Sequence, residues 1–271
     1  MAKLNELYQK ELHVVNFGVE AFYQDLLSQN KKAVHVNWKP AAGGDPRLAA
    51  MLRKLHSGEL GEKIAAANAE ALTRILNAQP TLIGLGTAGE LLPGMTKKTI
   101  LHAGPPITWD RMSGPVRGAV MGGLIYEGLA KDLKEAEELA ASGEITFDPC
   151  HHHNAVGPMA GVVTYSMPVW RMKNKAFGNE AYCTFNEGLG KVLRFGACDQ
   201  EVIDRLNWLA SGLYPVLRAA MEQIGEIDIK TMIAQILQMG DEGHNRNKAG
   251  TSLLFRELTL GVLETDFSNQ E

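Results

Sequence analysis

Apolar positions near the start of the chain come in short runs. Leu12-His-Val-Val-Asn16 predicts a buried strand, and Ala33 to Trp38 predicts a second. Between them, Phe22, Leu26 and Leu27 share one side of a predicted helix over 19–29. Strand, helix and strand within about 27 residues make a βαβ unit, whose two strands run parallel. Asp45 followed by Pro46 is a helix start, because a carboxylate caps free N–H groups and proline fits the first turn. That helix reaches about Leu55, breaks near Ser57-Gly58 and resumes to Ala78. Strands are predicted at 81–85 and 99–103, and a single helix from Ser113 to about Ala141. Small residues in its first half (Gly118, Ala119, Gly122, Gly123) let another backbone come close. Residues 145–196 read as strands and loops, with strands at 162–170 and 182–186. From Asp199 the spacing turns helical, with Val202, Leu206, Leu209 and Leu213 on one side until Pro215 ends or kinks the helix. Two more helices follow, over 229–239 and 243–263. The expected class is α/β in the mixed α+β sense. A Rossmann-like βαβ unit comes first, a glycine-rich strand and loop region next, and a helical part last. The boundaries fall at 1–110, 111–198 and 199–271.

Composition narrows the function. Lys+Arg 27 against Asp+Glu 31 leaves a net charge of −4, which argues against nucleic-acid binding through a strong basic field. Three cysteines without a C-x-x-C pair fit a reducing compartment rather than a disulfide scaffold. The polar stretch 1–11 lacks the apolar core of a signal peptide. The longest uncharged run, 149–170, carries three prolines and three histidines, so a membrane helix is not expected there. A cytoplasmic location is the expectation. Glycine and proline crowd into 84–128 and 157–196, where loops would hold a ligand.

Five stretches carry candidate chemistry. Gly84-Leu-Gly-Thr-Ala-Gly89 matches a phosphate-cradling loop, but Pro93 and Gly94 leave no room for a long helix behind it. A tight loop is the favoured reading and an anion-binding loop the alternative. The connection from His102 to Pro115 places Arg111 and Arg117 at a helix start, where guanidinium forks and free N–H groups suit a carboxylate or phosphate. Pairing with surface acids is the equal alternative. Cys150-His-His-His-Asn154, read as extended, lets at most His151 and His153 share a side. Those histidines, with Asn154, suit carbonyl polarisation or proton transfer. Glu187, Lys191 and Arg194 sit among glycines in a turn that can present N–H groups and a cation together, or form a hairpin with solvated charges. Last, Asp241, His244 and Asn245 share a helix face, with Arg246 four residues after Glu242. A polar string there points to a ligand or partner.

Five segments together closely resemble a bacterial family long of unknown function, the YlbE/AllG-like family. They are VNWKPAAGGD (36–45), LHAGPPITWDRMSGPVRGA (101–119), HHHNAVGPMAGVVTYSMPVW (151–170), NEGLGKVLRFGA (186–197) and MGDEGHNRNKAGTSLL (239–254). The resemblance runs from Val14 to about Leu263. The family includes a subunit of oxamate carbamoyltransferase, which works with an FdrA-type subunit and a third protein in allantoin breakdown. It implies a carbamoyltransferase subunit acting on small anions (oxamate or oxalurate, and phosphate), within an oligomeric complex. Family members also continue beyond this point, so a C-terminal region is expected to be missing. The implied reaction moves a carbamoyl group between oxalurate and phosphate. Within it, Arg111 and Arg117 would clamp phosphate or carboxylate, and His151 or His153 with Asn154 would polarise the carbonyl. Glu187, Lys191, Arg194, His244, Asn245 and Arg246 would line the rest. No cofactor or metal is expected. Two rivals stand beside this. One is a metal-dependent hydrolase of a cyclic amide or ureide, using His151, His153, Asp241 and His244. The other is a non-catalytic scaffold subunit.

Overall fold

A computed structural model describes residues 11–243 and 248–267. The chain divides between Leu76 and Asn77 into two compact units. In the first, β1 (His13–Phe17) pairs in parallel with β2 (Lys32–Val36), from His13 beside Lys32 to Phe17 beside Val36. The crossover is α1 (Glu20–Ser28), so the predicted βαβ unit is present, with two strands. Asp45 caps α2 (Pro46–Leu55) by accepting from the Arg47 and Leu48 N–H groups at 2.8 and 3.3 Å. Next comes α3 (Gly58–Asn77).

The second unit is mixed α and β. Its elements in order are β3 (Pro80–Thr87), the single turn α4 (Ala88–Leu91), β4 (Thr99–His102), α5 (Gly114–Tyr126), α6 (Leu133–Ala141) and β5 (Thr146–Pro149). Short strands follow: β6 (Ala155–Val156), β7 (Val162–Val163), β8 (Pro168–Asn174) and β9 (Glu180–Thr184). The chain ends in α7 (Gln200–Trp208), α8 (Tyr214–Ile224), β10 (Ile227–Asp228), α9 (Ile229–Gln238) and α10 (Lys248–Leu263). One sheet has the order β10-β3-β8-β9-β6; a second has the order β5-β4-β7. Strands β3 and β4 pair with strands from 146–174, and so belong to this second unit. Every residue of β4 is buried. It runs parallel to β5 across the α5–α6 crossover, with Thr99 beside Thr146 and His102 beside Pro149.

The structure differs from the sequence reading at three places, each for a local reason. The single helix predicted over 113–141 is two. Asp132 accepts from Glu135 N at 2.9 Å while Glu135 accepts from Lys131 N at 3.0 Å, a reciprocal cap that starts a new helix. The strand predicted over 162–170 breaks at 164–167. There the Glu127 carboxylate takes the Thr164 hydroxyl (2.6 Å) and the Ser166 N–H (2.8 Å), and turns β7 into β8. Pro215 does not end its helix. A π-helical stretch at Leu209–Leu213 precedes it and absorbs the N–H that proline lacks. Among the described residues no helix is long and apolar enough to cross a membrane.

The small residues of α5 serve the purpose their spacing predicts. A Cβ on Gly118 would stand 2.2 Å from the Gly196 carbonyl oxygen. A Cβ on Gly196, itself at φ +85°, would stand 2.5 Å from the Pro115 backbone. Two backbones therefore meet with nothing between them. Ala119, Val120 and Leu124 on the same helix are fully buried in the core. We expect Gly118→Ala to destabilise the second unit by about 1–3 kcal/mol, the range for overpacking. Denaturant unfolding of the variant checks this; an unchanged midpoint would show that the two backbones can part freely.

Candidate functional site

In sheets with parallel strands, ligands gather where the strands end at their carboxyl side and the following loops begin. Here that edge is the end of β4 and β5. After His102 the chain runs through a proline-rich loop to α5, whose N-cap position, Ser113, makes no side-chain cap bond. After Pro149 it enters a 3₁₀ turn at Cys150–His153. The first of these loops packs on β5 through Trp109, which stacks on Phe147 with ring centroids 6.4 Å apart. Arg117 lies over the other partner of that stack, 5.1 Å from the Trp109 ring. It also donates to the Asp110 carbonyl at 2.8 Å, and its Nε is buried without a hydrogen-bond partner among the described residues. Arg111 is exposed on the same loop. The Thr108 hydroxyl holds the Asp110 carboxyl below its usual range, helped by the charges of Arg111 and Arg117.

The three histidines do not form an extended segment. The 3₁₀ turn splays them into separate settings. His153 is buried, while His151 and His152 are exposed. His153 Nε2 meets the Asp148 carboxylate at 2.8 Å and its Nδ1 meets the Pro93 carbonyl at 2.5 Å. Both partners are acceptors, so the ring makes both bonds only when it donates from both nitrogens. His152 Nδ1 takes the other Asp148 oxygen at 2.8 Å, and His151 meets the His152 ring edge-on at 4.6 Å. Asn154 caps the turn in the left-handed region at φ 54°, which asparagine tolerates, and its carbonyl accepts from Tyr182 N. Neither ring nitrogen of His153 is left over for a metal. Among the described residues no group of three or more His, Cys, Asp or Glu could hold a metal ion.

The charges of 186–199 are tied to one another. Glu187 accepts from Leu193 N at 2.6 Å and Arg194 N at 3.0 Å. Arg194 donates to Asn186 Oδ1 (2.5 Å) and the Gly188 carbonyl (3.0 Å), with its Nε buried and without a partner among the described residues. Lys191 pairs with Asp199 at 2.7 Å. Arg205, which sequence reasoning did not single out, gathers the Leu189 and Lys191 carbonyls at 2.8 and 3.1 Å. The stretch is a cross-braced loop, not a hairpin. A small, partly open pocket of about 30 Å³ lies beside it, lined by Tyr126, Phe185, Glu187, Arg194 and others. Such a volume holds a water or two rather than a substrate.

The glycine-rich stretch at 84–89 does not cradle an anion. Its N–H groups are used: Thr87 N by Glu90, Ala88 N by the Met167 carbonyl and Gly89 N by the Tyr165 carbonyl. Gly89 is bare because the Tyr165 ring lies against it, 2.4 Å from where a Cβ would be. The segment is not a loop: Gly84–Thr87 continue β3 and Ala88-Gly89 open α4.

The structure thus links Arg117 through Trp109 and Phe147 to Asp148 and the histidines. It links Arg117's neighbour Gly118 to the turn that carries Arg194. His244, Asn245 and Arg246 lie outside the described residues. Sequence reasoning missed His102, which ends β4 fully enclosed. Its Nδ1 bonds the Ala103 carbonyl at 2.9 Å, and its Nε2 is buried without a partner among the described residues. The signal was present: a histidine ending an apolar strand just before Gly-Pro-Pro. Cys150 is buried and its thiol is pushed up to about 11 by burial, so it is no nucleophile near neutral pH.

A family model described as oxamate carbamoyltransferase subunit AllG matches residues 145–271. The chain is 44% identical to the Escherichia coli protein of that name over 209 residues, covering 76% of this chain and 50% of that protein. The chain is similar to AllG-like proteins. It is also 51% identical to the uncharacterized protein YahG of Escherichia coli, over 98% of this chain and 56% of YahG. A crystal structure of a conserved Enterococcus faecalis protein of unknown function superposes with a TM-score of 0.76 at 52% identity, over 79% of this chain and 51% of that one. This AllG-like chain spans about half the length of the relatives it matches.

Asp148 gives a prediction with a definite sign. The His153 and His152 bonds hold its carboxyl below the usual range. A carboxylate lowered in the folded state stabilises above its ordinary value of about 3.9, and that contribution is lost as pH falls through the lowered value. Asp148→Asn should cost about 1–3 kcal/mol near neutral pH, the scale of a charge-assisted hydrogen bond. The gap between variant and wild type should close in acid. Denaturant titrations across pH check it, and a gap that persists below the lowered value would refute the ionic account.

Proposed function

We propose that this chain is a subunit of a carbamoyl-transferring complex of the oxamate carbamoyltransferase kind. Its likeness to AllG over three quarters of its length carries the reading. The reaction has phosphate oxygen attack the ureido carbonyl of oxalurate. The carbon–nitrogen bond then breaks, carbamoyl phosphate leaves, and oxamate nitrogen takes up a proton. Such chemistry needs cations for phosphate and carboxylate, and donors aimed at the developing oxyanion. The carboxyl edge of β4 and β5 supplies Arg111, Arg117 and the start of α5 for the first need. His151, exposed beside His152, would serve in proton transfer. His153, Glu187, Lys191 and Arg194 are engaged with their own neighbours and hold the loops in place.

That engagement favours a second reading. With most charged candidates already paired inside the fold, the chain would position substrate while acyl chemistry sits on an FdrA-type partner, with a third subunit completing the complex. Small anions are the substrates in both readings. Reconstitution with the partner subunits, with oxalurate and phosphate as substrates and carbamoyl phosphate as readout, separates them. Each subunit is assayed alone and then together. Arg111→Ala and Arg117→Ala in the assembled complex should each raise KM for phosphate or oxalurate about 10–100-fold, the loss of one charge-assisted contact. Unchanged kinetics in both variants would remove the clamp.

A further inference from the structure

The first unit leaves many large apolar side chains exposed. Along β1, Val15 and Phe17 are 57% and 64% exposed, and Val34 on β2 is 62% exposed. The register sets Val15 beside Val34 and Phe17 beside Val36, so these side chains share one face of the sheet. The opposite face carries Asn16, whose Nδ2 donates to His35 Nδ1 at 2.9 Å, and Tyr23 of α1 packs on the His35 ring at 5.7 Å. Val14 and Ala33 share that half-buried face, whereas the face with Val15, Phe17 and Val34 is exposed and carries His13 and Lys32 at one end. The helices repeat the pattern. Leu48, Met51, Leu52 and Leu55 make a stripe along α2, all exposed, and Leu72, Ile75 and Leu76 are exposed on α3. No residue of α1, α2 or α3 is buried.

Parallel sheets occur with both faces covered, and two strands alone are marginal in water. An apolar face with two neighbouring apolar helix stripes therefore marks a contact surface. Its occupant has to extend a parallel sheet. A second copy related by a two-fold axis would bring its edge strand in antiparallel, and so fits poorly. In doubly wound sheets the first strand is central, so β1 has a free edge where further parallel strands belong. YahG, AllG and the Enterococcus faecalis protein each carry about as much sequence again as this chain matches. We infer that the bare face of β1 and β2, with the stripes of α2 and α3, seats the additional sequence of the longer family members, which adds strands alongside β1.

The test uses full-length YahG together with the 271-residue chain. A photo-cross-linking amino acid replaces the YahG residue aligned with Phe17, and mass spectrometry identifies the peptide it captures. Hydrogen exchange of the β1 amides is compared between YahG and the shorter chain. The expected result is capture of a YahG peptide that has no counterpart in this chain. Exchange across β1 should also be about tenfold or more slower in YahG. Capture of a peptide that this chain already contains, from the same or a second molecule, would overturn the inference. So would the absence of capture with equal exchange in both proteins.

Discussion

The second unit depends on one close contact. At Gly118 and Gly196 the helix that follows β4 and the turn that carries Arg194 touch backbone to backbone. The position of the Arg194 loop against α5 is set by this contact. It brings the 186–199 loop against the start of α5, and Gly161 in turn lies against Arg194, with a Cβ position 2.9 Å from its Cα. Side chains of ordinary size at these points would hold the elements apart by a few ångströms. Closely packed interiors do not yield by that much without loss of stability. The contact is therefore a constraint on geometry first and a source of stability second.

The same economy governs the charges. Asp148 serves two histidines, Glu187 serves two backbone N–H groups, and Arg205 serves several carbonyls of one loop. Each of these groups spends its hydrogen-bonding capacity on the chain itself. A buried donor or acceptor without a partner costs about 1–3 kcal/mol, so a loop of this length at a half-buried position needs such bracing to keep one shape. Residue types that suggest catalysis in a sequence are thus equally the types that brace a polar loop. Here the bonds made by His153, Glu187 and Arg194 identify them as braces, while Arg111 and His151 are left facing outward.

How much could be read beforehand follows from how local each signal is. The βαβ start, the Asp45 cap and the helix from Asp199 rest on neighbouring residues, and each folds as its spacing indicates. The second helix start at Asp132 was also legible, because Asp132 and Glu135 form a capping pair three residues apart. The run of apolar and then charged residues hid it by looking continuous. Other features had no local trace. The bond from His153 to Pro93 spans 60 residues, and Glu127 reaches 37 residues to turn the chain at Thr164. Adjacent histidines read as an extended segment because nothing nearby announced the 3₁₀ turn. The carboxyl edge of β4 was legible in part, since its arginines and prolines crowd one connection, but its junction with Phe147 was not.

The two units then differ in what their sequences are selected to do. In the second, apolar residues such as Leu101, Val120, Leu124 and Val163 are almost wholly hidden, and its loops are cross-braced. In the first, apolar residues at helical and strand spacing remain in water, although their periodicity is as clear as in the second. Periodicity records which face is meant to be covered, not what covers it. Hydrophobic spacing without burial is thus informative in its own right. Exposed side chains such as Val15, Phe17, Val34 and the α2 stripe mark a face suited to a contact, because solvated valine and phenylalanine side chains add nothing to the stability of a two-stranded sheet.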